Sequence, residues 1–308
     1  MLAILLETLP FFAVVGLGFL AGRTGFFSSD ATASLTKFVF YFALSAMIFG
    51  FAANLSLADT FSWSFVAAYL SASLLVWVLV AAAALWRGAP PVEAAMEAHA
   101  GVIGNVGFLG IPMLALLLGP AAVGPVLLVL AIDLVVFSSV LTMLIMGLRE
   151  GRMSASTLRV VGLALVRNPM IVSIILGLGW GASGFALPSP ANDFLTLLGA
   201  AATPCALFAI GASLAGRTAE RVQIAGWIAF AKLILHPAAV SIAALVVFPV
   251  EPYAAGVMIA AASLPVAGNV YILAQHFGIA PQRVSTAILI STALSILTVS
   301  AVIALVAA

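Results

Sequence analysis

Apolar residues in this chain come in long continuous runs rather than in the alternation of a half-buried strand. Ten of these runs approach or exceed the roughly 20 residues that a helix needs to cross a bilayer. They cover 2–20, 31–51, 61–86, 93–118, 121–148, 158–179, 194–215, 222–248, 252–277 and 284–306. The connections between them are short and carry Gly, Pro, Ser or Asp, the residues of turns. None is long enough to hold a soluble domain. The pattern therefore predicts an all-α polytopic membrane protein with ten transmembrane helices.

The spans divide into two sets of five, 1–150 and 151–308, and an odd number per set inverts the second half in the membrane. A repeat supports the division. Pro10, Gly18, Gly22, Gly25 and Phe26 recur at one constant offset as Pro169, Gly177, Gly181, Gly184 and Phe185, and in that register Phe49 falls on Phe208. Gly104-Asn105-Val106 in the fourth span returns as Gly268-Asn269-Val270 in the ninth. Inverted repeats of this kind build alternating-access carriers, with the binding site between the repeats near the midplane.

Composition agrees with a lipid solvent. Apolar residues make up 65% of the 308 and charged residues 7%, far too few charges to wet a soluble surface. In lipid every backbone polar group must be paired internally, and continuous runs rich in Ala, Leu and Val select helices over a barrel. The net charge of +1 points to neither nucleic acid nor an acidic partner. The lone cysteine, Cys205, lies in an apolar run and reads as a packing residue. The N-terminal run has no basic segment before it and reads as a retained first span rather than a cleaved signal.

The few charges orient the chain. Arg23, Arg87, Arg149, Arg152, Arg159, Arg217, Arg221 and Arg283 all follow odd-numbered spans, whereas the even-numbered loops carry Asp59, Asp193 and Glu251. Short basic loops remain cytoplasmic. Both termini are then expected on the outer side of the cell's inner (plasma) membrane.

The fourth and ninth spans carry the candidate chemistry. One reads GVIGNVGFLGIPMLALLLG and the other AASLPVAGNVYILAQHFG. Proline removes a backbone hydrogen bond and glycine weakens the rest, so both helices should break within the membrane, with Gly104 and Pro112 marking one break and Pro265 the other. A broken helix offers unpaired amides and a dipole to an anion such as a carboxylate. Asn105, Asn269 and the nearby Tyr271 are candidate contacts to that substrate. The bland alternative is close helix packing, with the asparagines merely capping the breaks.

Ionisable residues at depth add a second set. Asp133 lies about twelve residues into the fifth span, roughly 18 Å deep, and Lys232 about ten residues into the eighth, roughly 15 Å deep. His236 follows Lys232 by one turn on the same face. Asp133 and Lys232 read either as a structural pair or with Asp133 as a proton carrier. Lys37 lies near a cytoplasmic helix end and can snorkel. Arg167-Asn168-Pro169 reads as a helix entry. Glu97, His99, Gln275 and His276 are expected to line an inner vestibule or face headgroups. No metal-ligand spacing, nucleophile elbow or phosphate loop occurs, so neither an enzyme nor a cofactor is expected.

These stretches together resemble one family. GNVGFLGIP at 104–112, RNP at 167–169, LFAIGASLA at 207–215, KLILHP at 232–237, SLPVAGN at 263–269 and STALSILT at 291–298 resemble, in that order, the auxin efflux carrier family of plant PIN-type auxin carriers and bacterial malate or malonate permeases. The resemblance covers essentially the whole chain. It implies ten helices with crossing broken helices at spans four and nine, whose prolines here are Pro112 and Pro265. It also implies a scaffold of spans 1, 2, 6 and 7, a transport domain of spans 3–5 and 8–10, elevator-type movement of a small organic anion, and a homodimer. Ser45 departs from it, since related proteins often have proline there, as the second repeat does at Pro204. A sodium-coupled carrier of the bile-acid symporter type shares the crossed plan but needs a sodium site rich in side-chain oxygens. A membrane sensor would need an appended signalling domain.

Overall fold

A computed structural model describes residues 2–55, 61–150, 155–216 and 221–306. Asp59, Arg152 and Arg217 lie outside the described residues. In chain order the helices are α1 (Leu2–Arg23), α2 (Ser29–Ala53), α3 (Trp63–Trp86), α4 (Pro91–Val102), α5 (Val106–Leu117), α6 (Pro120–Arg149) and α7 (Ala155–Arg167). Then come α8 (Pro169–Ala182), α9 (Ser189–Ala215), α10 (Val222–Val247), α11 (Pro252–Ala262), α12 (Gly268–Phe277) and α13 (Pro281–Val306). Among the described residues there is no strand, only an isolated bridge between Gly104 and Val266. Seven helices are long and apolar enough to cross a membrane, or eight if the bent pair α7–α8 is one span. The chain is a polytopic, all-helical membrane protein.

The expected sixth span, 158–179, is not straight. α7 and α8 meet at 66° because Pro169 has no amide to continue the first helix and forces the preceding residue out of helical geometry. Asn168 is accordingly extended (φ −78°, ψ 113°), and its side chain accepts the Met170 amide to start α8.

α1 packs along the second half of α9, and α2 packs along α8. Glycines set both distances. A Cβ on Gly18 would lie 2.1 Å from the Phe208 carbonyl oxygen, and one on Gly177 would lie 2.8 Å from that of Phe49. These are the residues paired by the sequence repeat, each contact the counterpart of the other. Gly22 against the Ala212 carbonyl and Gly181 against that of Ala53 form a second such couple. Gly25 and Gly184, also counterparts, both turn the chain at positive φ. Close approach through small residues is how membrane helices associate without a hydrophobic drive between them.

Several long helices carry a widened π turn: Val39–Ala43 in α2, Asp133–Phe137 in α6 and Ala231–Leu235 in α10. The turn in α2 precedes Ser45, whose hydroxyl bonds the Phe40 carbonyl (3.0 Å). α2 is thus irregular here without proline, while α9 is interrupted at Ala201, just before Pro204.

A buried ion network ties α3, α4 and α13. Glu97 receives Arg283 at 2.5 Å and also Arg87, and Arg283 reaches Glu93 at 2.9 Å. Glu97 therefore neither lines a vestibule nor faces headgroups: two guanidiniums hold it inside the bundle. His99 is likewise fully buried, one turn before the end of α4.

Candidate functional site

Two helices stop and restart inside the protein, and their interruptions bond to each other. α4 ends at Val102 and α5 begins at Val106; α11 ends at Ala262 and α12 begins at Gly268. The Asn105 amide donates to the Pro265 carbonyl (2.8 Å), and the Ala267 amide donates to that of Ile103 (3.1 Å). Ser291 of α13 accepts the Val266 amide at 3.1 Å. These bonds take up backbone groups that lipid could not satisfy, which is the condition for non-helical backbone at membrane depth.

Proline and glycine divide the work unequally. Pro265 lies inside its break, as expected. Pro112 does not: the first break falls at 103–105, and Pro112 follows it within α5, next to the π turn Val106–Gly110. A proline ring cannot sit beneath a regular α-helical carbonyl, and a widened turn accommodates it. Gly104 has a steric role, since a Cβ there would lie 3.2 Å from Lys232 Cε and 3.3 Å from its Nζ.

The arrangement concentrates positive potential at the crossing. α5 and α12 both begin there, and no side chain caps either N-terminus. The Val106 amide already bonds the Gly104 carbonyl (2.8 Å) and the Val270 amide that of Ala267 (3.2 Å); the remaining first-turn amides and the two dipoles favour an anion. The asparagines do not act as caps: Asn105 makes no side-chain cap bond, and Asn269 Oδ1 is buried without a partner. At the opposite pole of α11, the Lys232 ammonium donates to the Ala262 carbonyl, so a cation covers the negative end of that half-helix.

Lys232 heads a buried polar chain. Its Nζ lies 3.2 Å from His236 Nδ1, and His236 Nε2 lies 2.9 Å from Ser73 Oγ. With an ammonium donating to Nδ1, the neutral ring carries its proton on Nε2 and donates to the serine. The Tyr69 hydroxyl donates to Asp133 Oδ1 at 2.9 Å, while Asp133 Oδ2 is buried without a partner. Among the described residues Asp133 and Lys232 make no direct ion pair. The direct structural pair is thus replaced by a tyrosine on one side and a histidine and a carbonyl on the other.

Two cavities adjoin the crossing. The smaller, about 50 Å³, is lined by Gly104, Asn105, Asp133, Ala267 and Asn269. The larger, about 500 Å³, lies between α2, α6, the α7–α8 elbow and α12, with Lys37, Arg167, Asn168 and Asn269 on its walls. Phe40, Phe108, Leu134, Asn168 and Asn269 line both. Pro112, Pro265, Tyr271, Lys232 and His236 line neither; the Tyr271 hydroxyl instead accepts from Gln275 (2.6 Å). Lys37 and Arg167, expected as a snorkelling lysine and a helix entry, are brought together on one wall system. Their one local signal was an arginine directly before Asn-Pro at the start of an apolar run.

A polytopic helical protein with two interrupted helices that meet beside a largely apolar cavity carrying a few polar groups fits the class of membrane transporters. The chain is a member of the family described as "Membrane transport protein", the auxin efflux carrier family, which it matches over residues 3–303. It is 31% identical over 302 residues, 97% of this chain and 94% of the relative, to a Rhizobium meliloti (strain 1021) protein named "Putative malonate transporter".

Proposed function

We propose that the protein is a secondary carrier for a small organic anion, a carboxylate, which it binds at the crossing of the two interrupted helices. One observation carries this reading. Two uncapped half-helix N-termini and two asparagines without cap bonds converge on a cavity, where a carboxylate would complete the hydrogen bonding. The name of the Rhizobium relative supports a carboxylate substrate.

The same reading includes ten spans, counting α4–α5, α7–α8 and α11–α12 as one each, in a five-plus-five inverted repeat. The mirrored glycine contacts support it. Spans 1, 2, 6 and 7 form the scaffold, on which spans 3–5 and 8–10 move as an elevator, carrying the crossing across the membrane. Asp133, with Lys232 and His236 beside it, is the candidate for coupling transport to protons. The arginine alternation supports insertion in the inner (plasma) membrane with both termini outside, and the family resemblance supports a homodimer.

Uptake of radiolabelled mono- and dicarboxylates into proteoliposomes, with and without pH and sodium gradients, tests the reading. Transport of at least one carboxylate is expected, with Asn105→Ala and Asn269→Ala each reducing it while the purified variants stay folded. If no carboxylate moves or stabilises the protein, the carrier reading fails. If both variants transport normally, the site lies elsewhere. Strict dependence on sodium would favour the sodium-coupled alternative.

A further inference from the structure

The residues common to the walls of both cavities sit where their helices depart from regularity. Phe40 lies in the π turn Val39–Ala43 of α2, Phe108 in the π turn Val106–Gly110 of α5 and Leu134 in the π turn Asp133–Phe137 of α6. Asn168 stands at the elbow before α8, and Asn269 is the second residue of α12. A π turn inserts one residue into an α-helix and re-aims the side chains around it, and such turns gather at functional sites. Here three of them bring an apolar side chain to one place, the boundary between the two cavities.

The rings of Phe40 and Phe108 are stacked at that boundary, with centroids 6.4 Å apart and planes 12° from parallel. Aromatic pairs within 7 Å attract each other beyond their buried area. The Phe108 turn is seated on α8: Gly107 has no Cβ, and one built there would overlap the Met170 Cε. The smaller cavity has about 50 Å³, room for one or two waters at roughly 30 Å³ each. A carboxylate group is about that size, and a whole organic acid is larger. A polar solute in the larger cavity of about 500 Å³ therefore meets an apolar constriction with two amides beside it. Such constrictions resist water and ions until they widen.

We infer that Phe40, Phe108 and Leu134 form an apolar collar that closes the crossing off from the larger cavity and sets the size of the group admitted to it. Phe40 and Phe108 are its specificity-determining pair. The consequence for transport rests on the reading of the crossing as an anion site: a carboxylate group fits beyond the collar, whereas the body of a larger acid has to part the two rings. The rings stand on different helices. In the elevator reading α2 stays and α5 moves, so each transit separates them.

The test is thiol labelling of the purified full-length protein in nanodiscs, with Cys205→Ser removing the native thiol. Leu130→Cys reports the smaller cavity and Ile272→Cys the larger, while Ala68→Cys, fully buried in α3 and in neither wall, reports general loosening. The probes are two anions, the small 2-sulfonatoethyl methanethiosulfonate and a bulky stilbene-disulfonate maleimide. With both rings in place, both probes should label Ile272→Cys readily, the small one should label Leu130→Cys slowly and the bulky one not at all. Phe40→Ala and Phe108→Ala should each speed labelling of Leu130→Cys by the small probe about tenfold, the upper end of what an aromatic pair is worth, and admit the bulky probe. Phe108→Tyr, which keeps the ring, should keep the protection. Leu130→Cys labelled as fast as Ile272→Cys with both rings present, or no faster in either alanine variant, overturns the inference. So does labelling of Ala68→Cys that rises in step, because the fold rather than the collar has then opened. The labelling needs no bound carboxylate, so failure of every carboxylate to move overturns the carrier reading and leaves the collar standing.

Discussion

Replacing Glu97 by glutamine changes one charge and almost no volume, so its cost measures how far the ion network anchors half-helix α4. The Glu97 side chain is 2% exposed, and that of its partner Arg283 is 7% exposed. Removing one partner from such a buried pair costs about 3–5 kcal/mol, because the other charge stays behind without compensation. Here the penalty is reduced, since Arg283 keeps Glu93 and the lost contact to Arg87 involves a guanidinium that is 33% exposed. A net loss of about 2–3 kcal/mol is expected, nearly all of it from the Arg283 side. Glu93→Gln is the control: its side chain is 31% exposed, and its removal should cost less than about 1 kcal/mol. Unfolding of the purified protein by SDS titration, followed by tryptophan fluorescence, gives both values. Because the network lies in the first two turns of α4 and the proposed substrate-binding groups lie beyond its end, KM for transport by the folded fraction should be unchanged in Glu97→Gln. Equal costs for the two variants, or a cost below about 1 kcal/mol for Glu97→Gln, would show that burial does not strengthen the network.

Three further outcomes are expected. Gly18→Ala and Gly177→Ala should each destabilise by about 1–3 kcal/mol, since the added methyl meets backbone that cannot rotate away, while Gly16→Ala, with nothing within 4 Å, should be neutral in the same SDS titration. Tyr69→Phe removes the donor to Asp133 and should cost about 1–3 kcal/mol in thermal stability; an unchanged melting temperature would mean that the carboxyl finds another partner. Asp133→Asn should abolish the response of uptake to a pH gradient while leaving downhill exchange measurable, and a retained pH response would remove Asp133 from the coupling step.

What could be read from the chain depended on how local its cause was. The breaks at 103–105 and 263–267 were legible because glycine and proline act on their own backbone, and the mirrored glycine contacts because small residues recur in register. Pro112 was misplaced by the same logic: a proline marks trouble in a helix, but a π turn absorbed it and the chain broke at Gly104 instead. Pro169 was read as opening a span, although a proline there bends a pattern that otherwise looks continuous through 158–179. Glu97 was legible only as a charge near a helix end, since Arg283, its buried partner, is 186 positions away. The cavity was out of reach for the same reason, because α2, α6, the α7–α8 elbow and α12 meet only through the fold.

The two breaks pair with each other, but their electrostatic surroundings differ, and that difference bears on coupling. At the second, the Lys232 ammonium closes the carbonyl end of α11 and reaches through His236 and Ser73 toward α3. At the first, the same ammonium lies beside Gly104, but among the described residues it bonds no carbonyl of α4, and the Ile103 carbonyl is met by the Ala267 amide across the crossing. Asp133 stands on the wall of the small chamber with one oxygen held by Tyr69 and the other free. An ionised Asp133 would oppose an anion at the crossing, and a protonated one would present a donor to it. On this geometry a proton on Asp133 and a carboxylate at Asn105 and Asn269 favour each other's presence, and linkage requires that preference to be mutual. That is the arrangement proton-coupled movement of an anion needs. It predicts that raising external pH weakens carboxylate binding in the wild type and leaves it nearly constant in Asp133→Asn.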